Sequence, residues 1–572
     1  MQIFNIRPTF SEIYFAIIYT INFLVIMNLV FRENRNINST LAWIVILMLM
    51  PAFGIVAYII FGRNFTKSNI FKLKERDDKV FKDNILKTQL FLEVDKNMDR
   101  CAREYSDMIT SLSNSNNAHY TSNNTVDIQT KPEEFFNSLK DSLRNAEKNI
   151  NMLFYIFRDD DIGKEIIDIL VERANAGVEV RFLYDAMGSR TLSDKGIQKL
   201  KSAGIKTSSF FPSILKYINI NANYRNHRKI VVIDNEIGYV GGFNVGDEYL
   251  SRNCVFGEWR DTHIKLTGDS VKDLNMRFLL DWRYSSKESI HFCEFFGQDY
   301  PGCECTIENC VVAGRGIQVE NCVNAENIKN SIVSESQVEG EALLTLDENL
   351  ATSEHRQNIL DDIAVDNTLS SYYKTYSKIN PPADSNVGMQ IVSCGPDIFG
   401  WSEIKYGYLK MIQKSKKYVY IQTPYLILDS SFLDTLKIAC LSGVDVRIMI
   451  PQKPDHPFVY WATYSYAGEL LKYGAKIYIY NGGSGNAFLH AKTMVSDDAV
   501  CSIGTANMDI RSFELDFEVN AFIYSVNKST ELRNIFEDDL KYCEEITIDM
   551  YNNRPLTMRM KQSVSRLLSA IL

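Results

Sequence analysis

Residues 487–507 read AFLHAKTMVSDDAVCSIGTAN, and four polar side chains stand at fixed offsets within this largely apolar stretch. His490 and Lys492 are two positions apart, and Asp497 follows seven positions after the histidine. Asn507 follows seventeen positions after the histidine. The residues between them are mostly apolar or β-branched, which indicates short buried strands separated by a turn.

An earlier stretch of the chain repeats this pattern. Residues 226–244 read NHRKIVVIDNEIGYVGGFN and carry the same residue types at the same offsets: His227, Lys229, Asp234 and Asn244. The chain holds only 7 histidines, so two chance matches that also share a trailing asparagine are far rarer than one. The pattern indicates an internal duplication in which each half supplies one histidine and one lysine.

Strand periodicity predicts where these side chains point. Residues two apart on a strand face the same side, so each histidine and its lysine should project together into one cavity. We count Asp234 and Asp497 with the catalytic set. Their odd offset and nearby turn nevertheless predict that they face away and support the end of the strand.

The two stretches match the duplicated His-Lys-Asp signature of the phospholipase D superfamily, and the chain resembles that superfamily. More narrowly, it is similar to bacterial cardiolipin synthases with two transmembrane helices. Further similarity lies in residues 54–65 (GIVAYIIFGRNF), 423–431 (TPYLILDSS), 453–466 (KPDHPFVYWATYSY) and 504–522 (GTANMDIRSFELDFEVNAF). The resemblance covers most of the chain outside residues 286–385 and is strongest over residues 386–525.

Each half repeats one order of apolar strands and helices, which predicts an α/β layered fold. The resemblance implies two phospholipase D-like α/β/α sandwich domains, at residues 131–285 and 386–572, that form one pseudo-twofold active site. Residues 286–385 are an insertion without an assigned function. Aliphatic residues recur there every five or six positions, which favours an irregular β-rich structure, with β-helix rungs as the alternative.

Two apolar stretches precede these domains. Residues 13–31 and 41–61 are each long enough to span a hydrocarbon core of about 30 Å, so residues 1–62 should form a two-helix transmembrane hairpin. Basic residues are more numerous after the second span than between the spans. This bias predicts a multi-pass membrane protein with its catalytic domains in the cytoplasm, and the resemblance implies that the membrane is the bacterial cell membrane.

The segment at residues 63–130 is predicted to be a cytoplasmic amphipathic and linker segment. It ends in a run rich in serine and asparagine, residues 111–125, which contains few large apolar residues. Such a run is typical of a flexible connector, and we expect His119 within it to be solvated.

Composition limits the classes of partner and cofactor. The formal net charge is −9, so no general basic field favours nucleic acid as a partner. The 11 cysteines are odd in number and scattered, which favours reduced thiols. The cysteines near residues 293–322 lack the paired spacing of structural zinc sites, and we predict no metal and no cofactor.

Paired histidines and lysines suit the chemistry of a phosphodiester. Two lysines, with Asn244 and Asn507, could bind the phosphoryl oxygens and neutralise charge in the transition state. A neutral imidazole can attack phosphorus, while a protonated one can give its proton to the leaving oxygen. The resemblance favours His227 as the nucleophile and His490 as the general acid and base, although the sequence alone permits the reverse.

Each imidazole also needs an acceptor that orients its second nitrogen. The candidates are acidic residues that follow the two motifs: Glu258, Asp261 and Glu518. Structural ion pairs are the alternative role for these carboxylates.

The resemblance implies a phosphatidyltransferase that makes cardiolipin from two phosphatidylglycerol molecules of the inner leaflet, releasing glycerol through a covalent phosphohistidine. The alternatives are a membrane-bound phospholipase D, another phosphatidyltransferase and an inactive lipid-binding module.

Asp516 departs from the family, where asparagine is expected, but should leave the catalytic set untouched. The basic, amphipathic residues 558–572 predict a helix docked on the core, with membrane contact as the alternative.

Overall fold

The computed structural model describes residues 10–31, 37–58, 99–116, 118–212, 224–252, 257–288, 290, 386–396, 402–453 and 455–568. Residues 291–385, which hold nearly all of the predicted insertion and its cysteine-rich stretch, lie outside these ranges, as do residues 63–98.

The described helices are α1 (Phe10–Phe31), α2 (Ile37–Leu49), α3 (Pro51–Ala57), α4 (Arg100–Glu104), α5 (Ser106–Asn116), α6 (Pro132–Arg144), α7 (Asp161–Asn175), α8 (Asp194–Ser202), α9 (Ser270–Ser286), α10 (Glu403–Lys414), α11 (Ser430–Leu441), α12 (Pro457–Leu471), α13 (Ile510–Glu514), α14 (Val526–Asp539), α15 (Ile548–Asn552) and α16 (Leu556–Leu568). Several begin at a residue whose side chain accepts a backbone N–H of the first turn, including Asp160, Ser193 and Asp429.

The described strands are β1 (Thr121–Gln129), β2 (Asn149–Phe154), β3 (Glu179–Asp185), β4 (Lys206–Phe210), β5 (Ile230–Ile233), β6 (Ile237–Gly241), β7 (Glu258–Arg260), β8 (His263–Thr267), β9 (Val387–Cys394), β10 (Tyr418–Gln422), β11 (Leu426–Ile427), β12 (Asp445–Pro451), β13 (Lys476–Tyr480), β14 (Ala487–Leu489), β15 (Thr493–Ser496), β16 (Val500–Gly504), β17 (Met508–Asp509), β18 (Glu518–Tyr524) and β19 (Cys543–Ile546).

Fifteen of these strands form one mixed sheet in the order β19-β13-β12-β10-β15-β16-β18-β9-β1-β8-β6-β5-β2-β3-β4. At its centre β1 and β9 pair antiparallel. Parallel strands β2, β3 and β4 lie towards one end and parallel strands β10, β12 and β13 towards the other. In each set the connections carry helices, as parallel strands require. The strand order on one side of the centre therefore repeats, reversed, on the other.

Helices cover both faces of this sheet. In the first half, α6, α7 and α8 bury their apolar residues against one face. In the second half, α10, α11 and α12 cover one face together with α4 and α5. A further core joins the two halves on the opposite face, where α9 and α14 pack on the strands. The result is an α/β/α arrangement that positions both motif stretches near the middle of the sheet.

The prediction of a flexible connector at residues 111–125 is wrong. Residues 111–116 form the end of α5, and residues 121–125 form the start of β1, a central strand of the sheet. Asparagine side chains replace apolar contacts here: Asn116 Nδ2 donates to the Ser393 carbonyl at 2.5 Å, and Asn124 Nδ2 to the Val387 carbonyl at 3.0 Å. His119 is not simply solvated, because its Nδ1 lies 3.0 Å from Asp273 Oδ1.

The apolar amino-terminal segment is helical, but its two stretches differ. Within α1, residues Ile13–Phe31 are long and apolar enough to cross a membrane, and no other described helix meets both conditions. The second stretch is divided into α2 and α3 at Met50, with Pro51 in the first turn of α3. Proline lacks the N–H that would continue α2, which explains the break. Leu29, Trp43 and Leu47 pack together, so α1 contacts α2.

Candidate active site

Both motif histidines lie just before a strand rather than within it. His227 and Lys229 precede β5, and His490 and Lys492 lie between β14 and β15. The sequence placed each pair on a strand, and the difference arises from their backbone partners. The His227 N–H donates to the Phe517 carbonyl at 2.9 Å, and the His490 N–H donates to a carbonyl of the other half at 2.7 Å.

The carboxylate partners of the histidines are exchanged between the two halves. His227 Nδ1 lies 3.0 Å from Glu518 Oε1 in the second half. His490 Nδ1 lies 2.7 Å from Asp261 Oδ2 in the first half. Both carboxylates are fully buried. The structure thus brings two of the three predicted orienting carboxylates to the histidines. The third, Glu258, is exposed at the start of β7 and has no hydrogen bond to either imidazole.

The two lysines are buried beside their own histidines. Lys229 Nζ donates to the His227 carbonyl at 2.7 Å. Lys492 Nζ lies 2.8 Å from His490 Nδ1 and also donates to the His490 carbonyl. Burial lowers the pKa of Lys229 to about 7 and that of Lys492 to about 8. Burial therefore disfavours the positive charge on both lysines, and a bound anion such as a phosphodiester would stabilise that charge.

The motif aspartates face away from the histidines, as their odd offset predicted. Asp234 accepts the backbone N–H groups of Glu147, Lys148 and Asn149 at 2.7–2.8 Å. Asp497 accepts the three N–H groups of residues 416–418 at 2.6–3.0 Å. Each carboxylate fixes the start of the strand beside its motif. This corrects their inclusion among the catalytic residues, because neither contacts a reacting group.

The two motif asparagines differ in their partners. Asn244 Oδ1 accepts the Ile156 N–H at 3.0 Å, and its Nδ2 donates to the Tyr249 hydroxyl at 3.0 Å. Asn507 is 5% exposed, and its Oδ1 has no hydrogen-bond partner among the described residues. The amide of Asn507 is thus the more available of the two for a ligand.

The histidines are held neutral by their surroundings. Burial first, then the charges of Lys229 and Lys492, lowers the pKa of His227 well below its usual value. Burial and Lys492 lower the pKa of His490 to about 4. Because each histidine responds to the lysine of the other half as well as its own, the two motifs share one electrostatic environment.

The two carboxylates differ in charge state. Burial raises the pKa of Glu518 to about 7, although Lys229 opposes this shift. Burial also acts to raise the pKa of Asp261. The charges of Lys492 and His490 outweigh this effect, so the pKa of Asp261 is lowered. At neutral pH, Asp261 therefore stays ionised beside His490, whereas Glu518 is close to its own titration.

The rings around the two histidines also differ. The His490 ring lies 5.2 Å from Trp259, measured between ring centroids, and the His227 ring lies 4.6 Å from Tyr155.

Asp516 is 8% exposed and pairs with Arg511 at 3.3 Å. Its charge raises the pKa of His227, so this departure from the family does reach the catalytic set.

Sequence reasoning missed several residues that position the site. Arg228 is fully buried between His227 and Lys229, and its Nη1 bonds both oxygens of Asp281 on α9 at 2.6–2.7 Å. Its Nε donates to the Glu518 carbonyl at 3.0 Å. Strand alternation would place Arg228 on the face opposite His227, but nothing in the sequence identifies Asp281 as its partner.

Comparisons with known proteins agree with this geometry. A family model described as the phospholipase D-like domain of cardiolipin synthase matches residues 139–256 and 408–540, and a phospholipase D-nuclease amino-terminal model matches residues 20–63. The chain is 40% identical to the major cardiolipin synthase ClsA of Bacillus subtilis, over 98% of this chain and 99% of that protein. It is 39% identical to a cardiolipin synthase of Staphylococcus aureus strain Mu50, over 97% of this chain and 95% of that protein.

Among solved structures, the phosphatidylserine synthase of Haemophilus influenzae Rd KW20 matches with a TM-score of 0.51 at 14% identity. The match covers 82% of this chain and 100% of that one, and supports the fold. The duplicated motif, the crossed histidine–carboxylate pairs and the near full-length identity lead to one conclusion. The chain belongs to the bacterial cardiolipin synthases of the phospholipase D superfamily.

Proposed function

We propose that this enzyme makes cardiolipin by moving a phosphatidyl group from one phosphatidylglycerol to another, in one pseudo-twofold active site shared by two phospholipase D-like domains. The crossed pairing of His227 with Glu518 and of His490 with Asp261 carries this proposal. Neither half orients its own histidine, so a functional site requires both.

In the first step, His227 attacks the phosphorus of the donor lipid through Nε2, since Nδ1 is engaged by Glu518. A bond forms between nitrogen and phosphorus, and the bond from phosphorus to the glycerol oxygen breaks. The anionic phosphodiester offsets the charges of Lys229 and Lys492, so His490 can take up a second proton although its pKa is lowered in the free enzyme. His490 gives the proton on its Nε2 to the glycerol oxygen, and glycerol leaves. The product is a phosphatidyl group held covalently on His227.

In the second step, a hydroxyl of the acceptor phosphatidylglycerol attacks the phosphohistidine. His490, now neutral, takes the hydroxyl proton as the oxygen–phosphorus bond forms and the nitrogen–phosphorus bond breaks. Cardiolipin is released, and both histidines return to their starting states. If water replaced the lipid hydroxyl, the same steps would give phosphatidic acid, the product of a phospholipase D.

The assignment of roles rests on the unequal surroundings of the histidines. Asp261 remains ionised and stabilises a positive charge on His490, which suits the residue that carries the proton. Burial and the charges of Lys229 and Lys492 lower the pKa of His227 well below its usual value, which keeps its imidazole unprotonated and nucleophilic. Lys229, Lys492 and the amide nitrogen of Asn507 would donate hydrogen bonds to the phosphoryl oxygens.

We also propose that residues 1–62 anchor the enzyme as a two-helix hairpin, with both catalytic domains on the cytoplasmic side. The contacts between α1 and the helices α2 and α3 support a hairpin. The greater number of basic residues after the second apolar stretch supports this orientation. The enzyme would then take its phosphatidylglycerol from the inner leaflet.

We further propose domain limits of 131–285 and 386–572, with β1 joining the sheet from the preceding segment.

The test is to incubate the full-length enzyme with phosphatidylglycerol vesicles that carry a labelled phosphate. Cardiolipin and glycerol in about equal amounts are expected, because each transfer releases one glycerol. Phosphatidic acid as the main product would instead make the protein a phospholipase D.

A second measurement separates the two histidines. His490→Asn removes the acid of the first step and the base of the second, so the labelled phosphatidyl group should form slowly on the protein and then persist, in an acid-labile form typical of phosphohistidine. His227→Asn should retain no label. The reverse pattern would exchange the two roles.

A further inference from the structure

The carboxyl-terminal helix α16 presents its apolar side chains to solvent. Leu556, Met560, Val564 and Leu567 are each between 51% and 76% exposed. With about 3.6 residues per turn, these four positions fall within an arc of about 80° on one side of the helix. We call this set the α16 stripe. Single exposed apolar residues are common on soluble proteins, whereas a contiguous stripe marks a contact surface.

The buried face of α16 is mostly polar. Gln562 and Ser565 are each 2% exposed, and Gln562 Oε1 accepts from Arg554 Nε at 2.7 Å. Arg566 forms an ion pair with Glu469 of α12. Met558 also packs against the core, so the helix docks through one apolar and several polar contacts and turns its other described apolar side chains outward. A surface helix of a soluble protein more often turns most of its apolar side chains inward.

Basic residues flank the α16 stripe. Arg559 and Lys561 are exposed and fall on opposite sides of the stripe around the helix. Residues 554–568 carry four basic residues and no acidic residue, in a chain whose net charge is −9. An apolar stripe between basic side chains is typical of helices that lie in the surface of an anionic bilayer.

The α16 helix runs beside α12. Lys561 Nζ lies 5.1 Å from the centre of the Trp461 ring, and the Arg566 guanidinium lies 4.5 Å from that of Tyr466. Both contacts join residues one hundred positions apart, so the two helices run in the same direction. By the same offset, Leu556 lies level with the start of α12.

The start of α12 lies near the candidate active site. Asp455, two residues before α12, accepts a hydrogen bond from the Tyr425 hydroxyl. Tyr425 directly precedes β11, which pairs with β17 next to Asn507. Asp455 is also close enough to Lys492 to raise its pKa. A surface that contacts the α16 stripe would therefore come close to these residues.

We propose that the α16 stripe docks on the surface of an anionic phospholipid bilayer, as a second membrane contact separate from α1. The helix has 13 residues, and at about 1.5 Å per residue it is too short to span a bilayer and would lie in the interface. A second copy of the chain is a less suitable occupant, because a twofold contact would bring the flanking basic residues of both copies together. Docking would hold the active site at the level of the lipid headgroups.

The direct test uses the full-length protein reconstituted in phosphatidylglycerol vesicles. The photoreactive residue p-benzoylphenylalanine replaces Val564 in one variant and Val526 in the other. Val526 is a matched control, since it is 49% exposed against 51% for Val564 and lies on α14, which packs on the opposite face of the sheet. Lipid cross-linking at Val564 should exceed that at Val526 at least fivefold. Equal cross-linking, or cross-linking of Val564 to a second protein chain, would overturn the proposal.

A functional test compares two forms of the substrate. The variant Met560→Glu/Val564→Glu should lose about tenfold in transfer rate on bilayer phosphatidylglycerol. On dispersed short-chain phosphatidylglycerol it should stay within twofold of the unchanged protein, which shows that it folds. Val526→Glu should match the unchanged protein on both. An equal loss on both substrates, or no loss on either, contradicts bilayer docking.

The two tests separate this proposal from the proposed function on which its second test rests. Cross-linking needs no turnover, so a protein that cross-links at Val564 yet makes no cardiolipin would refute the transfer reaction alone. A protein that makes cardiolipin without cross-linking there would refute the docking surface alone.

Discussion

Replacing Asp261 by asparagine removes one charge from the crossed pairs while keeping the shape of the side chain. Asp261 Oδ2 lies 2.7 Å from His490 Nδ1, and both residues are buried. A hydrogen bond to a charged group contributes about 1.5–3 kcal/mol. If His490 is positively charged when it gives up its proton, this stabilisation is lost, and kcat/KM should fall about 10- to 150-fold.

The assay follows glycerol release and cardiolipin formation by full-length protein in phosphatidylglycerol vesicles. Glu258→Gln is the matched control, because Glu258 lies three positions earlier, is exposed and bonds neither histidine. It should stay within about twofold of the unchanged enzyme. If Asp261→Asn kept its rate to within twofold, or if Glu258→Gln fell as far, the crossed pairing would not support catalysis.

Further predictions concern charge and stability. Burial holds the pKa of Lys229 at about 7 in the free enzyme, so kcat/KM should fall above pH 7 and Lys229→Arg should remove this alkaline decline; an unchanged pH profile would contradict it. Burial raises the pKa of Glu518 to about 7, so its ionisation makes the folded state less stable as pH rises from about 4.5 to 7. Glu518→Gln should therefore raise the Tm at pH 8 by about 1–3 °C while slowing turnover, and a lower Tm would refute this. Asp234→Ala should lower the free energy of unfolding by about 2–3 kcal/mol by leaving three N–H groups unpaired, as measured by urea denaturation, with little change in turnover per folded molecule. Arg228→Ala removes the cation beside the buried Asp281 carboxylate, at a cost of about 3–5 kcal/mol, which Arg228→Met/Asp281→Leu should partly recover.

The sequence predicted regular elements well where a periodic pattern and a turn residue coincide. Residues 430–441, which follow the capping residue Asp429 and carry apolar residues at helical spacing, form α11 with Asp429 as its N-cap. The parallel strands around residues 177–185 and 443–451 are β3 and β12, each preceded by a glycine with positive φ. Such features depend on neighbouring residues and are visible in a single sequence.

Features that depend on distant partners were harder to predict. The polar run at residues 111–125 lacked the apolar signal of a strand, because its asparagines are paired with backbone groups more than 260 positions away. Glu258 and Asp261 were equal candidates in sequence, and only the fold turns Asp261 towards His490. The mostly polar inward face of α16 was likewise hidden, since its amphipathic pattern does not say which side meets the core.

The pairing of β1 with β9 has a consequence for how lipids enter and leave. Main-chain hydrogen bonds between these strands join the two catalytic halves into one sheet. A hinge that opened the cleft would have to break this ladder and divide the core that both halves share. Donor, glycerol, acceptor and cardiolipin should therefore enter and leave while the two halves stay joined, without a hinge motion between them.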